Sequence, residues 1–471
     1  CGASLKCADL TLRERRVMEA LIELLPGLMF AALVLGLFSN LPVPIVLTGV
    51  TLIFGIIALA LGEIRLVQIS LVANRVYGGI IENQVLVAAP MFVFMGVVME
   101  KTRIAEDLLI ALQQVLRAVP GGLALAVVLM GTILAAATGI IGASVVMLTV
   151  LAIPTMIERG YAPAFASGTV ASAGTLGILI PPSVMLVFMG DLLTLNLAKL
   201  FIAALLPGLF LAGTYLVYIV ARSAVDPASA PPAPPLPPEE REGLWLNFTV
   251  SLIVPLLIIV AVLGSILGGI ATPTEAAGVG AFSALLLGFL RGRLSLSSLG
   301  ESMDGSIRTL AMLFFIFAAA TAFSYIFRKI GGEDFIIGSA SALNLGDWGL
   351  LAMMMIMIFI MGFFFDWIEI TLILLPIFAP IVALMEFGDH IAKADVIYWF
   401  AVLMAVNLQT SFLTPPFGFA LFFLKGAAGD MVSMAQVYRG IIPFVILQLC
   451  VLAILIWQPD IAVWLPNRLL N

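Results

Sequence analysis

The sequence predicts an all-α polytopic membrane protein made of two pseudo-equivalent halves. Three observations predict it. Of the 471 residues, 62% are hydrophobic and 11% charged, against roughly 25% charged in a soluble domain. Apolar runs able to cross a hydrocarbon core about 30 Å thick recur along the whole length. Double prolines stand at matching places in the two halves, Pro181-Pro182 and Pro415-Pro416. Backbone polar groups find no water in lipid, so each run must satisfy them as a helix. The runs are solid, unlike the short alternating segments of a membrane barrel.

Taken in order, Leu21–Ser39 and Val43–Gly62 are the first spans. Arg13, Arg15 and Arg16 precede them, but Glu14, Glu19 and Glu23 are interspersed, so an interfacial amphipathic helix also fits and the N-terminal orientation stays open. The sequence opens on Cys1 rather than Met, as a trimmed chain or a fragment does; lipid modification of Cys1 is the lesser expectation. Cys1, Cys7 and Cys450 are too few for a disulfide framework. Two glycines interrupt the next apolar stretch at Thr138-Gly139-Ile140-Ile141-Gly142-Ala143-Ser144, followed by Pro154, the double proline and the span Phe201–Val220.

Val225–Gly243 reads VDPASAPPAPPLPPEEREG, which predicts an extended, solvated linker. It divides the chain into a first membrane repeat at 1–223, a linker at 224–243 and a second repeat at 244–471. Leu246–Leu267, Ala311–Phe327 and Gly349–Phe365 are spans of the second half. Arg291-Gly292-Arg293 is its clearest cytoplasmic marker. Pro181 and Pro415 stand 234 positions apart, and Pro154 and Pro380 226 apart. Landmarks in one order at similar offsets argue for an internal repeat, a recurring feature of secondary transporters.

A proline inside a helix donates no hydrogen bond and clashes with the carbonyl four residues back. Pro181 and Pro182 should release the carbonyls of Gly177 and Ile178; Pro415 and Pro416 should release those of Ser411 and Phe412. These carbonyls and the hydroxyls of Thr175, Ser183, Thr410, Ser411 and Thr414 make an oxygen-rich set suited to Na⁺. The N-terminal end of a half-helix suits an anionic substrate group. Thr138, Ser144 and Asp366 complete the candidate cation ligands; Thr175, Ser183, Thr410 and Ser411 are the candidate substrate contacts. Asp366 and Glu369 are carboxylates at membrane depth, which cost about 2.5–3.5 kcal/mol there and usually face a bundle interior, although an interfacial, merely solvated pair is the alternative. Hydroxyls in spans are more often helix–helix contacts than ligands.

Other groups have plainer readings. Glu275 follows Pro273 and reads as a helix cap. Asp191 and Lys425 are repeat-related and read as surface anchors, and His390, the one histidine, lies in a polar turn. With no H-E-x-x-H, no G-x-G-D and no phosphate-binding loop, an intramembrane enzyme or direct ATP coupling is disfavoured. No basic stripe points to nucleic acid. No catalytic residues and no cofactor are expected.

GTLGILIPPSVMLVFMG, LFIAALLPGLF, GGIATPTEAAG, NLQTSFLTPPFGFALFFLKG and PVPIVLTGV resemble the large membrane subunit of tripartite ATP-independent periplasmic (TRAP) transporters. The resemblance runs from about Leu21 to about Ile456. It implies two inverted-topology repeats with helical hairpins, arranged as an elevator-type scaffold plus transport domain. It also implies a Na⁺ gradient as driving force, a periplasmic solute-binding protein as donor and a small four-helix membrane (Q) subunit as neighbour. The implied location is the bacterial inner membrane, in contact with lipid, and the implied solutes are organic anions. The chain departs from the serine-rich SGSS of many members, having Thr138 to Ser144 there instead, so a ligand set is not transferable at that point. A stand-alone ion-coupled transporter of related hairpin fold is the nearest alternative, separated by whether transport needs a soluble partner.

Overall fold

A computed structural model describes residues 12–39, 41–138, 141–234, 244–342, 345–415 and 418–470. Every regular element among them is helical. In the first half these are α1 (Leu12–Leu37), α2 (Val43–Leu61), α3 (Leu66–Val76), α4 (Ala88–Lys101), α5 (Ile104–Val115), α6 (Gly122–Thr138), α7 (Ile141–Glu158), α8 (Pro163–Thr175), α9 (Val184–Leu192) and α10 (Leu197–Val225). The second half has α11 (Leu244–Leu267), α12 (Pro273–Leu290), α13 (Leu296–Lys329), α14 (Gly332–Ala342), α15 (Gly346–Met361), α16 (Trp367–Leu384), α17 (Lys393–Leu413), α18 (Phe419–Ala428), α19 (Met434–Trp457) and α20 (Asp460–Leu470). Ten of these are long and apolar enough to span a bilayer, which makes the chain a multi-pass membrane protein.

Local chemistry sets the boundaries. Pro42 stands at the N-cap of α2, and Gly62, at φ 84°, closes its other end in the left-handed region where glycine carries no Cβ penalty. Thr272 caps α12: its hydroxyl accepts from Glu275 N while Glu275 Oε2 accepts from Thr272 N at 2.8 Å, so Glu275 is a capping residue. Gly349–Phe365 is not one span. α15 stops at Met361 and a turn intervenes before α16 starts at Trp367; within it Asp366 Oδ1 accepts from Trp367 N at 2.8 Å.

The first part of the proline-rich linker is also ordered, where an extended solvated chain was expected. Ser229 and Ala230 are buried. Ala162 N donates to Ser229 O, Gly121 N to Ala230 O and Ala233 N to Arg117 O, so the segment's carbonyls and amides pair with protein instead of water. Residues 235–243 lie outside the described residues.

By contacts the chain forms two compact units, and each draws on both halves of the sequence. One comprises Cys1–Asn83, Thr309–Met354 and Ile368–Phe387. In it α1 packs on α2 and on α14, where Gly27 meets the Phe335 ring. The other comprises Gln84–Arg308, Met355–Trp367 and Gly388–Asn471. Its tightest joints use small residues. A Cβ at Gly168 of α8 would overlap Gly440 O of α19, and one at Gly440 would overlap Ala164 O. Such backbone approach drives helix association where the surroundings are as apolar as the interface.

Candidate functional site

All the helix interruptions that the sequence singles out belong to the second unit, but they do two different jobs. Tyr161, just past α7, accepts from Leu123 N at the start of α6 at 3.2 Å. Gly121 and Ala162 bind the adjacent residues Ala230 and Ser229. α6 and α7 therefore begin and end together, forming a hairpin whose tip lies between the end of α6 at Thr138 and the start of α7 at Ile141. The chain of α8 and α9 runs the other way: α8 starts beside Ser229, past the far end of α10, whereas α9 ends at the near end, where Leu197 and Leu200 crowd Gly190. α10 has 29 residues, about 43 Å of helix. The Pro181-Pro182 break thus sits within a crossing helix.

The second half repeats the arrangement. Asp347 Oδ2 accepts from Glu386 N at 2.9 Å, and the Trp348 and Phe387 rings meet edge to face at 4.7 Å. These contacts close the outer ends of the α15–α16 hairpin, whose tip is Gly362–Asp366. α17 begins beside the end of α19, through Trp399 Nε1 to Leu455 O at 2.8 Å, and α18 leads back to the start of α19. α17–α18 is again a crossing helix, broken near Pro415. Lys199 at the start of α10 pairs with Asp395 at the start of α17 at 2.8 Å, so the two broken crossing helices run in opposite directions.

The breaks are lined by buried polar groups. α8 ends at Thr175 and passes through a tight turn, Leu176–Ile178, before α9. Ser183 Oγ donates to Ile178 O at 2.7 Å, so one expected substrate hydroxyl and one expected freed carbonyl satisfy each other. Ser411 O accepts from Thr414 N at 3.1 Å, Ser411 Oγ donates to Leu408 O, Thr414 Oγ1 to Thr410 O and Thr410 Oγ1 to Val406 O. Gly177 and Phe412 are buried in the two breaks. Ser144 is buried on α7, and the neighbouring Val145 backbone lies against Gly174, next to Thr175. Thr138 closes α6 through its backbone; Gly139, Ile140 and Pro416 lie outside the described residues. Asp366 is half-buried at its tip, whereas Glu369 belongs to the other unit.

Two residues stand out that sequence reasoning did not select. Gln409 is fully buried and its Nε2 donates to Thr175 Oγ1 at 3.2 Å, joining the two crossing helices. Among the described residues its Oε1 has no partner. Gly362, at the second hairpin tip, abuts Ser411 so closely that a Cβ would overlap the serine hydroxyl. Contacts are also exchanged between halves: Phe188 of α9 meets Trp367 at the start of α16 at 6.2 Å, and Phe423 of α18 lies over Gly142 near the start of α7. Among the described residues no three acidic, histidine or cysteine side chains converge. A cation here would be held by hydroxyl, amide and carbonyl oxygens with Asp366, a donor set that fits a hard monovalent ion.

Residues 27–461 match the family model described as "Tripartite ATP-independent periplasmic transporter, DctM component". The chain belongs to this family. Among its relatives is the C4-dicarboxylate TRAP transporter large permease protein DctM of Pseudomonas aeruginosa, 33% identical over 82% of this chain and 87% of that protein. Another is the isethionate TRAP transporter permease protein DctMQ of Oleidesulfovibrio alaskensis, 30% identical over 81% of this chain and 58% of that longer protein. The fold is shared with the YdaH transporter of Alcanivorax borkumensis, at TM-score 0.58 and 14% identity over 84% of this chain and 88% of that one. This TRAP large permease thus carries its family's membership across nearly all its length, and the interruptions of its helices fall inside the matched region.

Proposed function

We propose that this chain is the permease of a Na⁺-driven TRAP system in a bacterial inner membrane, taking up a small organic anion. The observation that carries the reading is the gathering of both hairpin tips and both crossing breaks in one contact unit, bridged by Gln409 and Thr175. Na⁺ is coordinated by oxygens of the set Thr138, Ser144, Thr175, Gly177, Ile178, Asp366, Thr410, Ser411, Phe412 and Thr414. The solute's anionic group lies against Thr175, Ser183, Thr410 and Ser411, near the N-terminal ends of α9 and α18, whose dipoles favour negative charge. A carboxylate or sulfonate is the chemistry common to the solutes named for the two relatives. A periplasmic binding protein delivers it and a small Q subunit packs beside the chain; the fused name DctMQ of one relative supports the second partner. The inverted crossing helices support alternating access by an elevator motion of the site-bearing elements.

The test is the thermal midpoint of the purified protein in detergent, titrated with Na⁺ against K⁺ at constant ionic strength. A ligand of the folded state raises the midpoint by mass action. The expected result is a saturable rise with Na⁺ alone, absent in Ser411→Leu and Thr175→Leu. Equal responses to both ions, or unchanged Na⁺ dependence in both variants, would remove the cation assignment.

A further inference from the structure

Within the first unit, α3 and the end of α13 enclose a cleft of about 370 Å³ lined by Leu71, Asn74, Arg75, Tyr325 and Lys329. Leu71, Asn74 and Arg75 are spaced to share a face of α3, and Tyr325 and Lys329, four apart, share a face of α13. Among the described residues neither Arg75 nor Lys329 has an ion-pair partner, whereas the adjacent Arg328 is taken up by Glu333 at 3.6 Å. Lys329 Nζ lies 5.8 Å from the Tyr325 ring centroid. The Tyr325 hydroxyl is buried and has no hydrogen-bond partner among the described residues. Leaving a buried hydroxyl without an acceptor is unfavourable, so the cleft offers a donor that a ligand oxygen would satisfy. Two unneutralised cations around it call for an anion with several oxygens.

The setting says where that anion comes from. α3 has no buried residue and exposes Leu66, Val67 and Leu71. With the π-helical turn Tyr77–Ile81 that continues it, the helix runs over 16 residues, Leu66–Ile81, short of the roughly 20 that cross a bilayer, and its apolar and basic residues suit a helix lying in the interface. Arg75 in the last turn of α3 then stands at headgroup depth. We propose that this cleft binds the phosphate of an anionic phospholipid headgroup. Arg75 and Lys329 supply the charge, Asn74 and Tyr325 donate hydrogen bonds, and Leu71 lies beside the start of the acyl chains.

The full chain in neutral detergent would be titrated with phosphatidylglycerol, phosphatidylcholine or inorganic phosphate while its thermal midpoint is followed. Phosphatidylglycerol should raise the midpoint saturably and phosphatidylcholine should not. Arg75→Gln with Lys329→Gln should weaken the apparent affinity about thirtyfold, from roughly 1 kcal/mol per basic residue near an anionic surface. Both side chains are exposed, so the variant should melt like the wild type without lipid; Tyr325→Phe, which removes one oxygen, gives an independent second reading of the same loss. An unchanged phosphatidylglycerol response in all three substitutions would overturn the site. A rise with inorganic phosphate but none with phosphatidylglycerol would overturn the lipid as its source.

Discussion

Gln409 and Thr175 stand 234 positions apart, the same spacing as Pro181 and Pro415. A contact between equivalent positions is what residues near an approximate two-fold axis make, and Tyr215 with Gln448, 233 apart and hydrogen-bonded at 2.7 Å, is a second instance. Thr175→Val keeps the shape and leaves a buried amide donor unpaired, so it should destabilise by about 1–3 kcal/mol. Adding Gln409→Met should recover part of that loss, because replacing both partners by apolar groups leaves nothing unsatisfied. Thermal melts of the two singles and the double measure it, and additive losses would mean the pair is not coupled. The same logic applies where Gly362 abuts Ser411. Gly362→Ala forces its Cβ onto the serine, an overpacking of about 1–3 kcal/mol, and Ser411→Gly in the same chain should relieve it. Neither contact was legible in the sequence, since each joins residues far apart in the chain and neither partner is unusual by itself.

At the scale of elements, three of the places where helices stop were readable in the sequence and the direction in which the chain turns was not. Glycine and proline interrupt helices by local chemistry, so the breaks after Thr138, near Pro181 and near Pro415 were readable. Direction is decided by distant pairs: Tyr161 to Leu123 makes a hairpin of α6–α7, and the placement of Ala162 beside Ser229 makes a crossing of α8–α9. The Gly349–Phe365 run looked continuous because its break carries three phenylalanines, Phe363 to Phe365, which hydropathy counts as span. The close packing of α8 on α19 was equally hidden, as Gly168 and Gly440 are two among 42 glycines. Gly440→Val would push a branched side chain into the Ala164 carbonyl of a neighbouring backbone, which cannot yield as a side-chain tip can. The expected outcome is a loss of several degrees in melting midpoint or failure to accumulate, whereas Gly278→Val, with open space around its Cβ, should accumulate normally.

For the molecule as a whole, the second unit has two distinguishable ends. Gln84, Asp191, Asn196 and Thr274 line one cleft of about 850 Å³, so the starts of α4, α10 and α12 lie at the same end. The opposite end therefore holds Lys101, Arg103, Arg222, Arg291 and Arg293, and Asp107 binds both Arg291 and Arg293 there at 3.1 and 2.8 Å. The first end carries few basic groups, Lys199 and Lys393 among them, and lines its cleft with Asp191 and Glu275. Lys and Arg near span ends are retained on the cytoplasmic side, so the Arg291 end is predicted to face the cytoplasm and the cleft end the other side of the membrane. In that sense the cleft end would face the soluble donor proposed above. With the three native cysteines replaced by serine, a cysteine at Gly292 should react with an impermeant maleimide only after cells are opened. One at Thr194, in the turn leading into α10, should react in cells whose outer membrane alone is permeable. The reverse pattern would invert the unit in the membrane and place the Arg291 end, not the cleft end, toward any external donor.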